Sequence, residues 1–355
     1  MTVPDPTTLY RVRDGVYAAD LLIAAVAEFD LFSWLAAHGR VRAMDLRSAL
    51  GLTERPTDVL LTYCAALRLI DRDVDDDDQV QLADLARRHL VAGSPFDLRA
   101  YYASLAERPA VRELAMVLRT DEQAAWASAG TTTGTTTGTT IGSGSGADWS
   151  SRLGDVEFAR RITAAMDARG AFLAPALSAA LDDIALDALL DVGGSSGIYS
   201  CALLDRRPGA CAAVFERPPV DVAARTLLRE RGWADRIDVI TGDMVTDALP
   251  GGFDVHLYSQ VLHDWDEPRV EQLVAASFAA LVPGGWLVDH DTHIDADKRG
   301  SLPVAEYSVL LMHSTPGKCW SVAELAEIAS RVGFVDIAHR PTAGDRGALL
   351  ARKPF

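Results

Sequence analysis

The sequence predicts an α/β fold in its C-terminal half, because the pattern of apolar residues changes there. From Leu177 onward, short apolar runs alternate with helical stretches. That alternation is typical of a mostly parallel sheet with helices on both faces. The strands are expected at residues 189–192, 212–215, 237–240, 255–258 and 286–289. The predicted architecture is therefore a Rossmann-like doubly wound, mostly parallel sheet, and any ligand is expected beyond the carboxyl ends of its strands.

The first hundred residues carry the spacing of amphipathic helices instead. Helices are expected over residues 16–26, 28–35, 43–52 and 57–69, followed by an acidic turn at 75–78. This layout is that of an N-terminal all-α winged-helix domain, which serves either DNA binding or dimerisation. Four consecutive aspartates stand where a wing that contacts DNA would be basic, so dimerisation is favoured.

Composition excludes several classes of function. The chain has 355 residues and a formal net charge of -16, which argues against nucleic acid as a partner, and so against a DNA-binding regulator. No apolar run is long enough to span a membrane, and the start of the chain lacks the apolar core of a secretory signal. The 4 cysteines show no paired spacing, so we expect a reducing, cytoplasmic location.

The expected domain organisation has three parts. Residues 1–110 form the helical dimerisation domain, residues 111–176 are linker helices, and residues 177–355 form the sheet domain. The linker contains a Thr/Gly/Ser-rich stretch at 128–147 that cannot bury enough apolar area to fold, so a surface loop is expected there. Trp126 and Trp149 bracket that loop, which would suit a lid as well as a plain insertion.

Glycines and acidic residues at three successive strand ends predict a binding site. The first strand runs into Gly193-Gly194-Ser195-Ser196-Gly197, and glycines let a backbone approach a ligand closely. This turn lacks the GxGxxG spacing of dinucleotide sites. Glu216 ends the next strand, where a carboxylate accepts ribose hydroxyls. Asp243 and Met244 follow the third strand and suit an adenine ring, so the three features together indicate an adenosine ligand.

This order of motifs resembles the class I S-adenosylmethionine-dependent methyltransferases. Segments 258–267 and 281–285 resemble the "VLHDW" and "PGG" motifs of the plant-type small-molecule O-methyltransferases, and the likeness covers roughly residues 15–340. It implies S-adenosylmethionine as cofactor and a homodimer built through the N-terminal module. It also implies cofactor contacts from Asp191, Gly193, Gly197, Glu216, Asp243, Met244 and Ser259, with Met166 at the methyl end.

The resemblance also implies a catalytic base. In that family the histidine of the motif deprotonates a phenol, a step worth ~10²–10⁴-fold, and His263 fills this position. The family orients the ring with two carboxylates, and here Asp291 takes the first position and Cys319 the second. A thiol does not hold an imidazolium as a carboxylate does. This departure makes O-methylation of a phenolic natural product, with His263 as base, the alternative rather than the main prediction.

The main prediction follows from segment 305–319, which resembles the metal-containing α-keto acid C-methyltransferases of that family. These enzymes make β-methylated amino-acid precursors for antibiotic biosynthesis. By this resemblance His263 and His313 would bind iron or another divalent or trivalent metal, which would stabilise the enolate of the keto acid. The remaining expected roles are substrate carboxylate binding by Arg152, and base or orienting function of Asp264 or Asp291.

Overall fold

A computed structural model describes residues 3–124 and 153–355, which form two compact units. The sheet unit comprises residues 3–10, 153–293 and 319–355, and the helical unit comprises residues 11–124 and 294–318. Residues 294–318 belong to the helical unit, although the sequence pattern places them in the C-terminal domain, because their helix packs against the helix of residues 54–66.

Residues 3–124 form short helices and a small antiparallel sheet. The helices are α1 (Thr7–Asp14), α2 (Ala18–Ala27), α3 (Leu31–His38), α4 (Ala43–Leu50), α5 (Glu54–Ala66), α6 (Asp84–His89), α7 (Arg99–Ala103) and α8 (Pro109–Thr120). The strands are β1 (Val41–Arg42), β2 (Ile70–Asp73) and β3 (Gln79–Leu82), in the spatial order β1-β3-β2. The hairpin β2–β3 holds the acidic turn, so the helices and hairpin have the winged-helix order.

Residues 153–355 alternate between helix and strand, as expected. The helices are α9 (Val156–Ala180), α10 (Ile198–Asp205), α11 (Val220–Glu230), α12 (Glu267–Ala280), α13 (Leu302–Ser314) and α14 (Val322–Val332). The strands are β4 (Ala188–Val192), β5 (Cys211–Glu216), β6 (Ile237–Thr241), β7 (Val255–Ser259), β8 (Trp286–Asp291), β9 (Val335–Pro341) and β10 (Gly347–Arg352). None of the helices in either described stretch has both the length and the apolar character that a membrane span requires.

The large sheet has the order β6-β5-β4-β7-β8-β10-β9. The first five of these strands are parallel, and β10 runs antiparallel to both β8 and β9. The predicted α/β class with a mostly parallel, doubly wound sheet is confirmed. The antiparallel edge was not predicted, since β9 is largely exposed and carries no clear apolar pattern.

Both faces of this sheet are buried, which explains the nearly continuous apolar strands. Leu189, Val214 and Leu257 lie in the core on one face, whereas Leu190 and Phe215 lie in the core on the other. Side chains alternate along a strand, so each strand supplies both cores. The loops at the carboxyl ends of the strands are consequently anchored to a well-packed sheet. The polar side chains predicted to bind a ligand lie in these loops or at the last residues of the strands.

Candidate active site

The glycine turn after β4 is closely packed. Gly193 has φ +68, and a Cβ at this position would lie 2.8 Å from the Met244 Cε. Gly197 has φ +72 and precedes α10, and a Cβ there would lie 2.9 Å from the Leu228 Cδ2. Both positions therefore require glycine for backbone conformation and for space. The turn leaves the N-terminus of α10 at the carboxyl edge of the sheet.

Two buried carboxylates flank this turn. The Ser200 hydroxyl donates to Asp191 Oδ2 at 2.7 Å, and burial raises the pKa of Asp191 to about 6. The Glu216 carboxylate accepts the backbone N–H groups of Ser195 at 3.2 Å and Arg217 at 3.0 Å. Burial raises the pKa of Glu216 to about 7. The Glu216 oxygens are thus fixed in place and retain lone pairs for ribose hydroxyls.

Asp243 and Met244 lie beyond the end of β6. The Asp243 Oδ1 accepts the backbone N–H of Val245 at 2.9 Å, and its Oδ2 lies 4.0 Å from the Arg217 guanidinium. Met244 packs at the edge of the core, beside Gly193. Because β6, β5, β4 and β7 are neighbours in that order, Asp243, Glu216, Gly193 and Ser259 follow one another along one edge of the sheet. This order suits an extended ligand with its adenine beyond β6.

His263 lies on a short 3₁₀ turn, Leu262–Asp264, after β7. Its Nδ1 donates to Asp291 Oδ1 at 2.7 Å, and its Nε2 lies 3.6 Å from Asp264 Oδ1. Asp291 Oδ1 also accepts the backbone N–H of Thr292 at 2.7 Å, which fixes the carboxylate. The structure therefore brings together His263, Asp264 and Asp291, three of the four residues expected to do the chemistry, with Nε2 directed away from Asp291.

The charges around His263 make it a stronger base than a free imidazole. Burial alone would lower the pKa of His263, but the charges of Asp291 and Asp264 outweigh it and raise that pKa above its usual value. The neighbouring imidazole holds the pKa of Asp291 below its usual range despite burial. Burial raises the pKa of Asp264 to about 6. An imidazole with a fixed carboxylate on one nitrogen can accept a proton at the other, which is the arrangement of a general base.

Cys319 stands at the position of the second expected carboxylate, and it contacts Thr292, the residue after Asp291. Its Sγ is 3.2 Å from the Thr292 Oγ1, and the side chain is buried. The second acidic neighbour of His263 is therefore Asp264 from its own turn, on the Nε2 side of the ring.

Sequence reasoning missed Arg169 on α9. Its guanidinium contacts the Met166 Sδ at 2.9 Å, and its charge opposes protonation of His263. The spacing of Met166 and Arg169, three residues apart on one helix, places them on the same face and could have suggested the pair. Met166 thus has a charged neighbour near the carboxyl edge of the sheet.

The other expected metal ligand, His313, belongs to the helical unit. Its Nε2 lies 2.9 Å from the Glu113 Oε2, and its ring lies 4.2 Å from that of Tyr17. Burial lowers the pKa of His313 although Glu113 acts in the opposite direction. Within residues 3–124 and 153–355, no group of three or more His, Cys, Asp and Glu side chains has the arrangement of a metal site. Arg152, Trp126, Trp149 and the loop 128–147 lie outside the described residues.

Comparisons with known proteins identify the family. Residues 132–335 match the model of the O-methyltransferase domain. The 3-hydroxy-5-methyl-1-naphthoate 3-O-methyltransferase of Streptomyces sahachiroi is 28% identical over 94% of this chain and 90% of its own length. The acetylserotonin O-methyltransferase of Bos taurus is 29% identical over 97% of each chain.

A solved structure agrees with these relatives. The O-methyltransferase family 2 protein of Planctomyces limnophilus, in complex with apigenin, has a TM-score of 0.82 and 28% identity over 99% of this chain and 97% of that one. The human N-acetylserotonin methyltransferase in complex with SAM, at 21% identity and a TM-score of 0.60, shares the fold. This chain belongs to the O-methyltransferase domain family and is an S-adenosylmethionine-dependent methyltransferase.

Proposed function

We propose that this enzyme methylates a hydroxyl group of an aromatic natural product, with His263 as the general base. The observation that carries the proposal is the buried 2.7 Å hydrogen bond between the Nδ1 of His263 and Asp291. It fixes the neutral ring with a lone pair on Nε2, because Nδ1 carries the proton that Asp291 accepts.

The cofactor site fits this chemistry. The Gly193 turn forms a cradle that a Cβ would fill, and the Glu216 and Asp243 carboxylates suit ribose and adenine. Bound S-adenosylmethionine supplies an electrophilic methyl group. The chain's own part is to hold the acceptor hydroxyl against His263, to take its proton at Nε2, and to keep the resulting imidazolium beside Asp291 and Asp264.

The relatives support a planar aromatic acceptor. One acts on a naphthoate, another is the tetracenomycin polyketide synthesis 8-O-methyl transferase of Streptomyces glaucescens, and a third is the mitomycin biosynthesis 6-O-methyltransferase of Streptomyces lavendulae. Their O-methylation favours the phenol alternative over metal-assisted C-methylation of an α-keto acid, which has only the sequence resemblance of segment 305–319 in its support. We therefore place the enzyme in secondary metabolism.

A substrate panel tests the proposal. Purified enzyme with S-adenosylmethionine is offered hydroxynaphthoates, flavones and polyketide phenols in parallel with phenylpyruvate and branched-chain α-keto acids. We expect turnover of at least one phenol, detected as S-adenosylhomocysteine release and an added methyl mass, and no turnover of the keto acids. Methylation of keto acids alone would contradict the proposal.

The proposed cofactor contacts make a separate prediction. We expect Glu216→Ala and Asp243→Ala each to weaken S-adenosylhomocysteine binding by about tenfold or more, since a hydrogen bond to a charged group is worth ~1.5–3 kcal/mol. Calorimetry measures the affinity directly. Asp238→Ala, an exposed acid on β6 outside the proposed contacts, is the matched control and should bind as the wild type does. Wild-type affinity in both test variants would refute the assignment.

We also propose a homodimer formed through residues 10–100. Within this range or directly next to it, the helical unit exposes Phe96, Leu98 and Tyr101, apolar side chains of the kind that dimer interfaces cover. We expect a dimer mass by analytical ultracentrifugation at micromolar concentration and dissociation in the double variant Phe96→Asp/Tyr101→Asp. Val335→Asp, at an exposed apolar position of the sheet unit, should leave the dimer intact. A monomeric wild type would contradict this proposal.

A further inference from the structure

Ser259, at the end of β7, belongs to a hydrogen-bonded network with His290 and Thr342. The Ser259 Oγ is 3.1 Å from Nδ1 of His290, its neighbour on β8. The opposite nitrogen, His290 Nε2, is 3.2 Å from the Thr342 Oγ1. The His290 side chain is completely buried, whereas Ser259 is partly exposed. Thr342 is partly exposed as well, but Ser259 follows β7, the strand next to β4, and is thus the member of this trio nearest to the proposed cofactor contacts.

Tyr199, on α10, packs against the His290 ring. The Gln260 amide donates to the Tyr199 hydroxyl at 2.9 Å, which holds the Tyr199 side chain in place. The Tyr199 ring packs edge-on against His290 with centroids 5.3 Å apart. Tyr199 thus restrains the His290 ring by packing against it.

The charge state of His290 limits how its two nitrogens can hydrogen-bond. Burial lowers its pKa to about 3, so the ring is neutral and carries a single N–H. With a hydroxyl on each nitrogen, one of Ser259 and Thr342 must donate to the ring and the other must accept from it. The Ser259 hydroxyl is therefore tied to the buried His290 ring before any ligand arrives.

The strand order indicates which part of the cofactor meets Ser259. Asp243 and Glu216, assigned to adenine and ribose, follow β6 and β5, and the glycine turn follows β4. Ser259 follows β7, the next strand, and His263 lies just beyond it. An extended ligand with adenine beyond β6 places its amino-acid portion beside β4 and β7.

We propose that His290 is a positioning residue that holds the Ser259 hydroxyl against the amino-acid portion of S-adenosylmethionine. Thr342 hydrogen-bonds to the Nε2 of His290, and the Tyr199 ring packs against the imidazole. This inference rests on the cofactor placement of the proposed function, and it is independent of which acceptor is methylated. His290 itself touches no reacting atom, so its effect must pass through Ser259.

Binding of two different ligands distinguishes this positioning role of His290 from a general structural role. S-adenosylhomocysteine carries the amino-acid portion, and 5′-methylthioadenosine lacks it. Calorimetry with both ligands is applied to wild type, Ser259→Ala, His290→Leu and the double variant. We expect each single variant to lose about fivefold or more in S-adenosylhomocysteine affinity, the value of one hydrogen bond, with little change for 5′-methylthioadenosine.

The double variant tests whether His290 acts through Ser259. We expect it to bind S-adenosylhomocysteine no more weakly than Ser259→Ala does, because the hydroxyl to be positioned is already absent. Additive losses, or equal losses for the two ligands, would overturn the role of His290. Unchanged affinity in Ser259→Ala would instead overturn the cofactor placement.

A matched control exists on β7. His256 is also buried, has its pKa lowered to about 3 by burial, and bonds a serine hydroxyl, that of Ser277, at 3.1 Å. We expect His256→Leu to leave the ratio of the two affinities unchanged. If His290→Leu does not fold, Thr342→Val removes the partner of Nε2 at a partly exposed position and should shift the same ratio in the same direction. A wild-type ratio in Thr342→Val would then count against the proposal.

Discussion

Replacement of His263 by Gln is expected to lower kcat by about 10²- to 10⁴-fold, the usual contribution of a positioned general base. Glutamine keeps much of the side-chain volume but accepts no proton at neutral pH. S-adenosylhomocysteine affinity should change by less than about twofold, because His263 lies beyond the proposed cofactor contacts. Single-turnover rates with saturating cofactor measure the effect on the chemical step.

The control for this variant is His256→Gln. His256 is as deeply buried as His263 but lies at the other end of β7, bonded to Ser277. We expect its kcat to stay near that of the wild type, apart from any loss of thermal stability. If His263→Gln kept its rate within about tenfold of the wild type, His263 would not be the base.

Replacement of Asp291 by Asn should have the second largest effect, a loss of about 10²-fold or more in kcat/KM. The amide cannot hold Nδ1–H as the carboxylate does, so the ring loses its fixed tautomer and the partner of the imidazolium. The control is Asp289→Asn, two residues earlier on β8, where the carboxylate bonds His293 at 2.8 Å instead. We expect a much smaller loss in that variant.

The pH profile of Asp291→Asn provides an independent readout. His263 must be neutral to act as a base, and its pKa in the enzyme is raised above 6.5 chiefly by Asp291 and Asp264, against the effect of burial. The wild-type kcat/KM should therefore rise with pH through a midpoint above that value. Removing the charge of Asp291 lowers the pKa of His263, so the midpoint should move to lower pH. A midpoint that stays in place would contradict the assigned electrostatics.

The sequence pattern was sufficient to predict the parallel strands and the polar residues that follow them. Each of the five predicted strands agrees with β4–β8 within a few residues, because buried parallel strands are continuous apolar runs. The glycine turn, Glu216 and Asp243 could be located because each follows such a strand directly. The pairing of His263 with Asp291 was expected only through the family resemblance.

Other features depend on contacts that no local pattern encodes. The helix α13 packs on α5, far away in the chain, so its membership of the helical unit was not visible in the alternation of strands and helices. The network of Tyr199, His290 and Thr342 joins α10, β8 and the loop after β9, and each of these residues alone is unremarkable in sequence. His313 resembled a metal ligand by its position, whereas the structure gives it Glu113 and Tyr17 as neighbours.

The position of the transferred methyl group tests the central claim most directly. Enzyme that has been exhaustively treated with a chelator is supplied with S-adenosylmethionine carrying a ¹³C-labelled methyl group and an accepted substrate, and the product is examined by NMR. We predict full activity and a methyl resonance typical of carbon bonded to oxygen, with loss of the signal in His263→Gln. A methyl bonded to carbon, formed only when metal is restored, would contradict the account.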